Sequence, residues 1–179
     1  GKLSFAPSAP DHFAVSFSGT ETVISAGSRP AFLRALGCAM AGRETAGKLR
    51  FTTLGVMLDC SRNRVYTVDF IKSILLKTAL TGFNLLMLYT EDVYELPGEP
   101  AFGYMRGRYT AEEIREIDRY AKRLGIEVTA CIQTLGHLEH LFTHYQYSGI
   151  RDTAGILLAE EDATYSLIEK MIRFQAENL

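Results

Sequence analysis

Three short apolar runs, LGVMLDC (54–60), FNLLMLY (83–89) and IEVTACIQ (126–133), each stop abruptly in polar residues. Runs of this length suit strands covered on both faces, and the gaps between them carry helical patterns. TVDFIKSILLKTALTG (67–82) places Phe70, Ile71, Ile74, Leu75, Thr78 and Ala79 on one stripe and stops at Gly82. TAEEIREIDRYAKRLG (110–125) opens with Thr110 and Glu113 at capping-box spacing and stops at Gly125. Strand, helix, strand, loop, helix, strand is the rhythm of right-handed βαβ units around a parallel sheet. Chemistry in such sheets gathers beyond the carboxyl ends of the strands. Those ends read Asp59-Cys60-Ser61-Arg62, Thr90-Glu91-Asp92 and Gln133-Thr134-Leu135-Gly136-His137, all on one rim. One polar strand end can merely cap a helix or solvate a loop. Three in succession point to a site.

The N-terminal part has a different period. HFAVSFS (12–18) alternates apolar and polar residues, Gly19-Thr20 offers a tight turn, and ETVIS (21–25) follows, which predicts a β-hairpin. Ser28 can cap a helix with Pro30 in its first turn, running through PAFLRALGCAMAG to Gly42. Residues 1–48 therefore read as a small β-β-α element, with the polar, Gly-rich GRETAGKLRFTT as the link to residues 49–179. Segment 136–155 reads as loop, and AEEDATYSLIEKMIRFQAENL as a final amphipathic helix.

Charge and cysteines exclude several classes. With 19 basic and 21 acidic side chains the net charge is -2, so electrostatics give no reason to expect a nucleic acid or anionic membrane partner. No apolar stretch reaches membrane-spanning length, and GKLSFAPSAP lacks the features of a signal peptide, so a soluble, cytoplasmic protein is expected. Cys38, Cys60 and Cys131 are odd in number and far apart, which argues against a disulfide framework or zinc knuckle. There is no GxGxxG, GxxxxGK[ST] or GxSxG, and hence no dinucleotide fingerprint, P-loop or nucleophile elbow.

The rim residues allow several readings. The Arg62 guanidinium is a planar fork suited to paired sugar hydroxyls or a carboxylate, or it forms a loop-tidying salt bridge with Asp59. Glu91 and Asp92 are adjacent and point in different directions if the strand persists. Such neighbours can raise one pKa and supply a general acid, or form a solvated turn. HLEHLFTH spaces His137, His140 and His144 on one helical face, which invites a metal, although it is not HExxH. His137 is the strongest functional candidate, because Gly136 lets the backbone turn and present the imidazole. The long loop 90–109, with Gly98, Gly103 and Gly107, suits a substrate-facing lid.

The succession GVMLDCSRNR, NLLMLYTEDVYEL and GRYTAEEIREIDRYAKRLGIEVTACIQTLGH resembles the start of the catalytic barrel of glycoside hydrolase family 20, the β-N-acetylhexosaminidases. The preceding segment ending in RPAFLRALG resembles the end of that family's small α/β domain. The fold implied is α/β: the first three βα units of a (β/α)8 TIM barrel after the small element. The resemblance implies that Arg62 hydrogen-bonds the terminal N-acetylhexosamine, and that Glu91 or Asp92 supports His137 beside the catalytic acid. The family commonly has PEIDMPGH where this chain has ACIQTLGH, which marks a divergent branch.

The implied reaction is substrate-assisted retaining hydrolysis, without cofactor or metal, by an Asp-Glu pair that follows the fourth strand and is expected beyond residue 179. A whole barrel takes about 250 residues. The expectation is therefore an N-terminal portion, inactive alone, whose partners are the sugar and the rest of its own barrel, or a second copy. The alternatives are a three-layer α/β binding module and a metal-dependent barrel hydrolase using His137 and His140.

Overall fold

The computed structural model describes residues 2–179 and divides the chain into two compact units. One comprises Gly1–Val56, Asp69–Leu86 and Arg119–Glu127, the other Met57–Val68, Met87–Asp118 and Val128–Leu179.

The first unit is built on a four-stranded sheet. The expected hairpin is present as β2 (His12–Ser18) and β3 (Glu21–Ala26), paired antiparallel about Gly19 at φ 58°. Two strands were not foreseen: β1 (Lys2–Pro7) runs parallel to β3, and β4 (Thr45–Lys48), within the supposed link, pairs with β2. The order is β1-β3-β2-β4. β4 (TAGK) is short and has no apolar alternation, and in β1 the alternating Leu3 and Phe5 are 47% and 61% exposed, so neither reads as a half-buried strand.

Helix α1 (Arg29–Met40) starts as expected, with Ser28 Oγ accepting the Ala31 N–H at 3.4 Å. It lays Ala35 and Cys38 on Val15 and Ile24, flanked by Phe13, Phe32, Leu36 and Ala39. At Gly37 an added Cβ would sit 2.1 Å from the Leu80 carbonyl oxygen, so the close approach of the two backbones requires glycine there.

Strands β5 (Gly55–Asp59), β6 (Leu85–Tyr89) and β7 (Glu127–Cys131) form the second sheet in the order β5-β6-β7. Their register is parallel. At the amino ends Leu85 N–H donates to Leu54 O at 3.2 Å and Glu127 N–H to Asn84 O at 2.9 Å. At the carboxyl ends Cys60 N–H meets Tyr89 O at 2.8 Å, and Thr90 N–H meets Cys131 O at 3.2 Å. The Asn84 amide pins the entry to β5 by accepting from Leu54 N–H at 2.8 Å and donating to Thr52 O at 2.7 Å. Cover on both faces is not observed. Leu86 and Leu88 are buried, Leu85 and Met87 only half so, and Met57 is 56% exposed. The pleat sends alternate side chains to opposite faces, and the described residues close only one of them.

Helix α2 (Val68–Leu80) buries Ile71, Leu75 and Ala79, a narrower i, i+4, i+8 stripe than expected, and leaves Phe70 42% exposed. Helix α3 (Ala111–Arg123) has the foreseen capping box: Thr110 N–H donates to Glu113 Oε2 at 2.8 Å, and Glu113 N–H to Thr110 Oγ1 at 3.2 Å. Helix α4 (Asp162–Asn178) buries Leu167, Met171 and Phe174, and Phe174 stacks on Tyr94 at 5.2 Å. Segment 136–155 contains two 3₁₀ turns, Leu141–Thr143 and Tyr145–Ile150. The loop after β6 is packed: Val93, Tyr94 and Phe102 are fully buried, and Glu99 accepts from Tyr147 OH at 3.0 Å and Lys170 Nζ at 2.7 Å.

Candidate functional site

All three polar strand ends lie within the second unit. At the end of β5, Asp59 Oδ1 accepts from the Ser61 N–H at 3.0 Å, the Arg62 N–H at 3.1 Å and the Ser61 hydroxyl at 3.0 Å. This is a side-chain-capped turn, and it fixes where Arg62 leaves the backbone. Burial pushes the Asp59 carboxyl up, but these donors and the Arg62 charge outweigh it and hold the group below its ordinary value.

Arg62 makes the foreseen salt bridge and more. Its Nη1 lies 3.6 Å from Asp59 Oδ2, its Nη2 donates to Tyr89 OH at 3.1 Å, its Nε is 3.9 Å from Glu91 Oε1, and its Cζ sits 5.0 Å from the Tyr89 ring centre. The side chain is nonetheless 60% exposed. Only the contact with Tyr89 is of hydrogen-bond length, which leaves further N–H donors on an exposed side chain.

Tyr89 is the hub of this end of the sheet. Its hydroxyl donates to Glu91 Oε1 at 3.0 Å and accepts from Gln133 Nε2 at 2.9 Å, which joins the ends of β6 and β7. Burial and the hydrogen bond to Glu91 both raise the phenol's pKa, so it stays a donor across the neutral range.

Glu91 and Asp92 do diverge, because the strand ends at Tyr89 and Glu91 turns the chain at φ 45°. Both are buried, so the solvated-turn reading fails. Glu91 faces Tyr89 and Arg62. Asp92 is ion-paired to Arg106 Nη1, which also lies 3.9 Å from Glu91 Oε2, while Arg106 Nη2 donates to Ser61 O at 2.7 Å. Burial raises the Asp92 pKa, and the Arg106 charge opposes that rise without cancelling it.

His137 occupies a left-handed backbone at φ 59° and is exposed; the conformation expected of Gly136 is adopted by the histidine itself. Left-handed non-glycine residues cost free energy, and two of them, Glu91 and His137, stand at neighbouring strand ends. Among the described residues no hydrogen bond or ion pair joins His137 to either carboxylate. The histidine whose charge reaches Asp92 is His140, and the His144 ring meets Tyr104 edge-on at 6.1 Å. Among the described residues no group of three or more His, Cys, Asp or Glu is placed to hold a metal ion. No described helix is long and apolar enough to cross a membrane.

Sequence reasoning missed Tyr89 and Arg106, and it placed Gln133 on the rim without its partner Tyr89. Tyr89 reads as the last apolar residue of its strand, and Gln133 as a departure from a family pattern. Arg106 is 14 residues from Asp92, in the loop read as a substrate-facing lid.

Three parallel strands with polar carboxyl ends, after a small α/β element, have the fold of the opening βα units of a TIM barrel. The chain resembles the glycoside hydrolase family 20 β-N-acetylhexosaminidases in sequence and shares their fold. Over 106 residues, 55% of its length, it is 35% identical to beta-hexosaminidase 1 of Arabidopsis thaliana and spans 19% of that protein. It superposes over 100% of its length on 36% of an exo-β-N-acetylglucosaminidase of this family from Vibrio harveyi, solved with N-acetylglucosamine, with TM-score 0.84 and 18% identity. A Flavobacterium johnsoniae chitobiase matches 99% of the chain over 33% of its own, with TM-score 0.82 and 21% identity. No protein-family model matches the chain.

Proposed function

We propose that this chain supplies the first part of the substrate rim of an exo-β-N-acetylhexosaminidase. Arg62 carries the reading. On a fold shared with family 20 enzymes it stands at the end of β5 with one side tied to Tyr89 and Asp59 and the other exposed, ready to donate to hydroxyls of a terminal N-acetylhexosamine. Glu91 and Asp92, held by Tyr89, Arg62 and Arg106, set the charge beside the reacting bond.

The reaction is retaining and substrate-assisted. The acetamido oxygen attacks the anomeric carbon as the glycosidic bond breaks, the leaving oxygen takes a proton from a glutamic acid, and water then opens the oxazolinium ion. An aspartate orients the acetamido group. Residues 1–179 contain no Asp-Glu dipeptide and span 36% of the Vibrio harveyi enzyme, so hydrolysis is expected of a longer product that supplies the pair.

The test is turnover of chromogenic N-acetyl-β-glucosaminide and N-acetyl-β-galactosaminide by the full-length product, with and without a chelator. Turnover that survives chelation is the expected result. Failure on both substrates would refute the reading, and loss of activity to the chelator would favour a metal-dependent hydrolase.

A further inference from the structure

We propose that Arg106 is a positioning residue, delivered into the rim by a tightly wound loop to clamp Asp92 and Glu91 against the backbone at Ser61. Three of the five residues 103–107 are left-handed: Gly103 at φ 64°, Met105 at 57° and Gly107 at 69°. The two glycines adopt this freely, but Met105 does not. Its side chain is 87% exposed, so no packing of its own offsets the strain. What the winding achieves is the placement of the next residue. The Arg106 side chain is 17% exposed, ion-paired to Asp92 at 4% exposure, 3.9 Å from Glu91 Oε2, and donates to Ser61 O at 2.7 Å.

The loop is anchored for this purpose. An added Cβ at Gly103 would fall 2.3 Å from the Asp92 carbonyl oxygen, so its backbone lies directly on that of Asp92. Arg108 fixes the same loop by donating to Pro100 O at 3.1 Å and Phe102 O at 2.6 Å. Two guanidiniums then flank Glu91: Arg62 on Oε1 and Arg106 on Oε2. Arg106 thereby couples the turn at the end of β5 to the acids at the end of β6, and through Glu91 and Tyr89 it sets the attitude of Arg62. Besides Arg106, the charged or titratable groups acting on Asp92 are His140 and Glu91, and Asp92 in turn acts on Tyr94 and Tyr147.

The consequence for catalysis rests on the hexosaminidase reading; the clamp itself does not, and the two are measured separately. The clamp is read by the Asp92 carboxyl carbon in an NMR pH titration of Arg106→Gln and Arg106→Lys. Removing the charge should raise the Asp92 midpoint by about one pH unit or more. Arg106→Lys, which keeps the charge but cannot fork to both Asp92 and Ser61, should raise it by roughly half as much. An unmoved midpoint in Arg106→Gln would overturn the clamp, as would an unmoved midpoint in Arg106→Lys if the glutamine variant does not fold.

In the full-length product Arg106→Lys should lower kcat about tenfold with KM within roughly a factor of two, and should shift the acid limb of the pH profile upward. A moved Asp92 midpoint with unchanged kcat would overturn the positioning role. A wild-type product with no hexosaminidase activity would refute the functional reading, while the Asp92 titration would still decide the clamp.

Discussion

Removing a single oxygen tests the network that orients Arg62. In Tyr89→Phe the ring stays and three hydrogen bonds go: to Glu91 at 3.0 Å, from Gln133 at 2.9 Å and from Arg62 at 3.1 Å. They are not equal. Arg62 is 60% exposed, and Gln133 is half-buried, so both recover partners from water at little cost. Glu91, at 10% side-chain exposure, loses a donor to a charge it cannot readily resolvate. A hydrogen bond to a charged group contributes about 1.5–3 kcal/mol, so the variant should lose ~2 kcal/mol of stability. With a urea dependence of about 2 kcal/mol per molar, the midpoint followed by circular dichroism should fall by roughly 1 M. In a Glu91→Gln background the same bond is neutral and contributes about 1 kcal/mol, which leaves a coupling of similar size. Equal losses in both backgrounds, within about 0.5 kcal/mol, would refute the assignment of Glu91 as the charged acceptor.

Other outcomes are equally definite. The raised Asp92 pKa means that the folded chain holds its proton to higher pH than the unfolded chain. Its contribution to stability is therefore full below the ordinary carboxylate value and is lost as pH rises through the raised one. Asp92→Asn should lack that part of the slope, so the difference between its pH–stability curve and that of the wild type should grow across this window and then level off. Gly103→Ala meets both a left-handed backbone and the Asp92 carbonyl, and should cost at least ~2 kcal/mol in the same urea assay. Thr110→Ala removes the capping hydroxyl of α3 and should cost about 1 kcal/mol, with faster amide exchange confined to the first turn of that helix.

The elements that the sequence disclosed are those whose signal is local. Ser28 before α1 and the Thr110–Glu113 box before α3 are read from a few adjacent residues and recur in the structure as expected. The hairpin of β2 and β3 follows from alternation about Gly19-Thr20. Strands β1 and β4 escaped notice because their pairing partners, not their own side chains, define them.

The site divides in the same way. Arg62, Glu91 and Asp92 were legible because they end apolar runs. Their partners were not: the Arg106 clamp closes over 14 residues through left-handed Gly98, Gly103 and Met105, and the link from Gln133 to Tyr89 spans 44 residues. The turn at His137 was legible in outline, but the left-handed residue proved to be the histidine and not its neighbouring glycine.

The central claim is that Arg62 reads the terminal N-acetylhexosamine. Its most direct test is kcat/KM of the full-length gene product on a chromogenic N-acetyl-β-glucosaminide, before and after Arg62→Ala. Two hydrogen bonds from a guanidinium to sugar hydroxyls contribute at least ~3 kcal/mol, so the variant should lose about 100-fold or more in kcat/KM while its circular dichroism is unchanged. A folded Arg62→Ala enzyme that keeps its kcat/KM would contradict the account.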